Sequence, residues 1–119
     1  MKHVSNEMLN AYIECALWSS IDDNGEPLDG LDASLSSASA QAFERDCSGF
    51  MDLIEGEGID VSELDDTQIG HDFWLSRNGH GAGFWDRGLG DLGDTLHKWA
   101  KSFGSCDLYV SDNNEIEVA

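Results

Sequence analysis

His71, Asp72, His80 and Asp86 fall in one glycine- and aromatic-rich stretch, residues 70–88. Imidazole and carboxylate groups suit Zn, Mn or Fe, so a divalent-metal site is the first chemistry these residues bring to mind. Their spacing matches no established ligand motif. His71 and Asp86 alone would supply the base and the orienting half of a catalytic triad. No activated Ser or Cys completes that triad, and Ser76 is expected on the opposite face. Gly79, Gly81 and Gly83 imitate a phosphate loop without the βαβ helix that such a loop needs. The same residues also have a purely structural reading. Glycines allow the turn and a close backbone approach, the aromatics pack, and His71 with Asp86 forms a satisfied hydrogen bond.

Whichever reading holds, a hairpin has to position these groups. Asn78-Gly79 is a strong hairpin signal between two aromatic-rich runs, residues 71–77 and 82–87. A two-residue turn there sets Arg77 opposite His80, Leu75 opposite Ala82, Phe73 opposite Phe84 and His71 opposite Asp86. A four-residue loop would instead pair Trp74 with Trp85 and separate His71 from Asp86.

Around this hairpin the periodicity is helical. Met8, Leu9, Tyr12, Ile13, Ala16 and Leu17 form an apolar stripe that Ser5 or Asn6 can cap. The helix ends before the turn-rich run Asp22-Asp23-Asn24-Gly25-Glu26-Pro27. A second helix is expected from near Asp32 through Leu35, Ala38, Ala42, Phe43, Cys47, Phe50, Met51 and Ile54, with Gly56 and Gly58 as its stop. Residues 62–66 leave room for a short helical turn. A third helix carries Leu89, Leu92, Leu96, Trp99, Ala100 and Phe103. Asp91 and Asp94 sit at its positive end, Lys98 and Lys101 at its negative end, and Gly104 follows. His97 on this helix needs no catalytic explanation. Residues 106–110 and 115–118 read as a second hairpin around Asp112-Asn113-Asn114. The expected fold is a single α+β domain over residues 1–119, in the order α-α-β-β-α-β-β. Its antiparallel sheet of about four strands carries helices on one face.

Charge narrows the function. The chain holds 24 Asp and Glu against 6 Lys and Arg, a net of −18. Direct binding to nucleic acid or to an anionic membrane surface is therefore disfavoured. Hydrophobic residues make up 40%, enough for a core, which excludes a disordered acidic tail. Two runs hold no base: Asp22, Asp23, Glu26, Asp29 and Asp32, then Glu55, Glu57, Asp60, Glu63, Asp65 and Asp66. Spread evenly over the roughly 6,300 Å² expected for this size, the acids would lie about 16 Å apart, two Debye lengths at physiological salt. Only clustering gives a field that steers a partner. The bland alternatives are solvated acids in turns and at helix starts, or salt adaptation. Cys15, Cys47 and Cys106 are odd in number and form no C-x-x-C pair, which fits small buried hydrophobes in a reducing compartment. No apolar run of the signal-peptide or membrane-span type is visible, so a cytoplasmic location is expected.

Residues 70–75 and 77–88, together with Leu108-Tyr109-Val110, Ala16-Leu17-Trp18-Ser19-Ser20 and residues 22–28, resemble a family of small acidic proteins of tailed bacteriophages and mobile elements. The resemblance brings no activity, cofactor or catalytic residue. It implies a setting inside a bacterial cell. In size and charge the chain is also similar to compact acidic phage proteins that occupy the DNA-binding sites of restriction or CRISPR machinery. The leading expectation is thus a non-enzymatic protein whose two acidic runs dock on a basic, nucleic-acid-binding surface of a host protein. The alternative is a metal-binding protein or small metal-dependent enzyme centred on His71, Asp72, His80 and Asp86.

Overall fold

The computed structural model describes residues 5–21, 25–30, 33–62, 64–79, 83–84, 88 and 90–118. Helix α1 (Asn6–Ser19) starts where expected: the Ser5 hydroxyl accepts the Met8 N–H at 3.1 Å. Its buried face is Met8, Ala11, Tyr12, Cys15 and Ala16. Ile21 then bridges back to Pro27, and a single 3-10 turn, Leu28–Gly30, inserts Leu28 beneath α1.

The second helix begins later than its periodicity suggests. Strand β1 (Ser34–Leu35) comes first, and helix α2 (Ser37–Gly56) is capped by Ser36, whose hydroxyl accepts the Ser39 N–H at 3.1 Å. Asp32, the expected cap, lies outside the described residues. The helical spacing of Leu35 is therefore coincidental. The residue is instead a strand position opposite Ile116, set by a partner far along the chain.

The largest departure is helix α3 (Asp66–Asn78), which takes in the whole first strand of the expected first hairpin. Asp65 caps it by accepting the Gln68 N–H at 2.7 Å. Gly79 ends it in the left-handed region (φ 66°, ψ 40°), with its N–H directed to the carbonyls of Leu75 and Ser76. Asn78-Gly79 is thus a helix stop, because a left-handed glycine serves a helix end as readily as a hairpin turn. Ile69, Gly70 and every residue from Asp72 to Arg77 are buried. A helix buried on nearly all sides has no polar face, so it shows no amphipathic stripe.

Helix α4 (Asp91–Ser102) follows the expected third helix closely, with Leu96 and Ala100 buried. Strands β2 (Leu108–Val110) and β3 (Glu115–Val118) form the expected second hairpin, pairing Leu108 with Val118 and Val110 with Ile116. Asn114 takes a positive φ of 59° in its turn. The sheet order is β1-β3-β2, with β1 parallel and β2 antiparallel to the central β3. Among the described residues the architecture is α+β with four helices and a three-stranded mixed sheet. The expected four-stranded antiparallel sheet is not found among the described residues: its first strand is part of α3, and most of its second, residues 82–87, lies outside them. Ser36 and Ser39 at the start of α2 both donate to the Glu117 carboxylate, and the Ser39 hydroxyl accepts the Val118 N–H at 3.0 Å, seating α2 on β3.

Aromatic rings join the layers. Phe50 of α2 stacks on Phe73 of α3 at 4.3 Å, and Tyr12 lies within 5.4 Å of the Phe43, Phe73 and Trp74 rings. Phe84 enters the same core beside Phe50, held by its N–H to the Ser76 hydroxyl at 3.2 Å. The helix crossing of α1 and α3 is tight enough that a Cβ on Gly70 would collide with the Met8 carbonyl. Gly70→Ala should therefore lose about 1–3 kcal/mol despite the better helix propensity of alanine. Urea denaturation should show a lower midpoint at unchanged slope. A wild-type midpoint would mean that α1 and α3 do not cross at Gly70.

Candidate functional site

Most of the described candidate residues fall in two places: the polar groups of α3, and the acidic connection between α2 and α3. On α3, His71 and Asp72 are chain neighbours whose Nδ1 and Oδ1 atoms are 3.6 Å apart. His71 is part-exposed and stacks on the half-exposed Trp18 ring of α1, with centroids 6.0 Å apart. Asp72 is fully buried. His80 and Asp86, the other two residues of the expected metal site, lie outside the described residues. Among the described residues no three His, Cys, Asp or Glu side chains come together as a metal-ligand group. His71 sits in the middle of a helix and not on the hairpin strand whose register was expected to set it opposite Asp86. Ser76 is buried and its hydroxyl is engaged by the Phe84 N–H, so it is no nucleophile.

The sequence reading missed Arg77, the polar centre of α3. Its side chain is 6% exposed. Nη1 donates to Asp46 Oδ2 at 2.8 Å and to the Tyr12 hydroxyl at 2.9 Å. Nε and Nη2 donate to the carbonyls of Gly104 and Phe103 at 2.8 and 2.9 Å. The guanidinium also lies 5.6 and 5.8 Å from the Phe73 and Phe103 ring centroids. It thus ties α1, α2 and the end of α4 to α3 and meets the carbonyl-rich end of α4, where a cation is favoured. An arginine inside an aromatic run was the available signal. Asn78 adds a second tie: its side chain donates to the Trp74 carbonyl and accepts the Cys106 N–H at 2.7 Å.

Part of the second acidic run lines a groove of about 550 Å³ between the end of α2 and the start of α3. Its floor includes the buried Met51, Ile54 and Ile69, and its walls the half-buried Ile59, Val61 and Leu64. Exposed Glu55, Asp60 and Asp66 also line it. The Ser62 backbone N–H, at 2.9 Å, and the Ser62 side chain hold the Asp60 carboxyl below the usual carboxylate range, so it stays charged. Glu57 and Asp65 are exposed on the same connection, and Glu63 lies outside the described residues. Apolar residues interleaved with acids from residue 57 to 65 were the sequence signal for this groove.

Of the first acidic run, Glu26 and Asp29 are exposed, while Asp22, Asp23 and Asp32 lie outside the described residues. Exposed acids also occur on each helix: Glu7 and Glu14 on α1, Glu44 on α2, Asp66 on α3, Asp91 and Asp94 on α4. Among the described residues the exposed bases are Arg45, Lys98 and Lys101, since Arg77 faces inward. No helix among the described residues is long and apolar enough to cross a membrane.

No protein-family model, curated protein or solved structure matches this chain.

Two predictions concern the buried polar core. Arg77→Met strands Asp46 and the two carbonyls, and should cost about 2–4 kcal/mol, read as a lower urea midpoint. An unchanged midpoint would remove Arg77 from the centre of the fold. The second prediction is alkaline sensitivity. Burial pushes the Cys15 thiol up to about 12, with the nearby Asp72 charge adding to the rise. Burial also raises Tyr12 and Cys47 well above their ordinary values, against the pull of Arg77. The unfolded chain releases these protons first, so the folded state binds more protons in this range. For Cys15 the stabilisation is complete below the ordinary thiol value of 9.0 and is lost as pH rises toward about 12. The urea midpoint should fall across that window, and tyrosinate absorbance of Tyr12 should appear only with unfolding. A flat profile would contradict burial of these groups.

Proposed function

We propose that this is a non-enzymatic binding protein that docks through acidic surface on a basic, nucleic-acid-binding surface of a host protein. The observation that carries the reading is the imbalance of exposed charge. Every described acid of the two runs is exposed, and the exposed bases among the described residues are confined to Arg45, Lys98 and Lys101. Such a surface attracts cationic partners over a Debye length and repels nucleic acid itself. Complementary charge of this kind accelerates association and confers salt dependence.

On this reading the protein competes with DNA or RNA for its partner, as an acidic decoy against a restriction or CRISPR system would. The phage-protein resemblance of residues 70–88 supplies the setting. Docking needs no cofactor and no catalytic residue.

The test is capture from a bacterial lysate at low and high salt, followed by competition with duplex DNA for the captured protein. The expected result is a partner that is released by salt, displaced by DNA, and lost when both acidic runs are converted to Asn and Gln. A partner that ignores DNA and survives that neutralisation, or no partner at all, would overturn the proposal.

A further inference from the structure

The groove between α2 and α3 sets acidic residues around an apolar interior. Exposed acids are found on every helix, but at this groove Glu55, Asp60 and Asp66 share a lining with Ile59, Val61 and Leu64. Among the described residues no basic side chain lines it. Among the described residues the carboxylates do not converge as a metal-ligand group would. A lining that is negative and greasy at once matches a cationic amphipathic chain, because Lys and Arg lay an aliphatic stem on apolar surface while the charged head reaches for an anion.

We propose that this groove receives a basic amphipathic segment of a protein partner. An apolar side chain packs on Ile59, Val61 and Leu64, and flanking Lys or Arg heads meet Glu55, Asp60 and Asp66. This deepens the docking reading above and rests on it: it assigns one part of the acidic surface as the anchor and the chemistry of the segment that fits it. Amphipathic helices seated in apolar grooves are a recurrent recognition mode, with specificity set by the rim. Here the rim selects for positive charge, and an acidic helix of the same apolar pattern is rejected.

The test uses the full chain and a fluorescently labelled helical peptide of Leu and Lys with one apolar stripe, followed by anisotropy. A second peptide has Ser in place of each Leu. The variant E55Q/D60N/D66N removes the groove charges, and E26Q/D29N removes exposed charges elsewhere; circular dichroism checks that both remain folded. The Leu-Lys peptide should bind the wild type, and the Ser-Lys peptide about tenfold more weakly. The groove variant should lose about tenfold in affinity for the Leu-Lys peptide, as several exposed ion pairs together allow. E26Q/D29N should change it less than about twofold. Equal losses in the two variants, or equal binding of the two peptides, would overturn the groove while leaving a general acidic surface intact. Failure of both basic peptides to bind would overturn the groove and count against the wider docking reading with it.

Discussion

A guanidinium cannot be taken out of water without replacing what water gave it. Arg77 meets that requirement with donors in several directions, and its acceptors come from three other helical segments: Tyr12, Asp46, and the Phe103 and Gly104 carbonyls. None of these acceptors neighbours Arg77 in the chain. The charge is satisfied only when α1, α2 and the end of α4 are all in place around α3. Apolar packing alone would tolerate small slides of one helix on another. A buried cation with directional partners does not. The interlocked rings of Tyr12, Phe50, Phe73 and Trp74 fill the space that this frame leaves.

Legibility in the sequence follows the same physics. Helices with one wet face, α1, α2 and α4, announce themselves by apolar spacing and caps, and their bounds shift by only a few residues. The β2 and β3 hairpin is legible because its turn and both strands are contiguous. Helix α3 is not, since a helix with no wet face has no period to read and its aromatic content imitates a strand. Its start did carry a signal in Asp65 and Gln68, an N-cap pattern at the right distance. Strand β1 is two residues long and is defined by Glu115 and Ile116, so nothing local marks it. At the candidate site the acids were plain from composition. The groove beside them was not, because it arises from apolar residues scattered between charges and closed by the two helices.

The charge surface has two scales. Carboxylates on every helix give a general negative coat, the kind of surface charge that favours solubility. Over the accessible surface of 6711 Å² such a coat is diffuse. At the junction of α2 and α3 it lies beside half-buried aliphatic side chains that line a groove. By contrast, the first strand expected to carry the histidine-centred alternative is helical, and His80 and Asp86 lie outside the described residues. What is left of it among the described residues is His71 resting on Trp18, next to a carboxylate sealed in the core.

The order of strands in the sheet sets a timetable. Strand β3 is central, and β1 joins it in parallel across a gap in which α2, α3 and α4 must first be made. A growing chain therefore exposes Ser34 and Leu35 long before the strand that will hold them exists. Closing so large a loop carries an entropic cost that local hairpin formation avoids. The helices, whose contacts are nearer in sequence, have the opportunity to assemble first, with the sheet zipped onto them as a late seam. In that order Ser36 and Ser39 are already in position at the head of α2 when Glu117 arrives to join it.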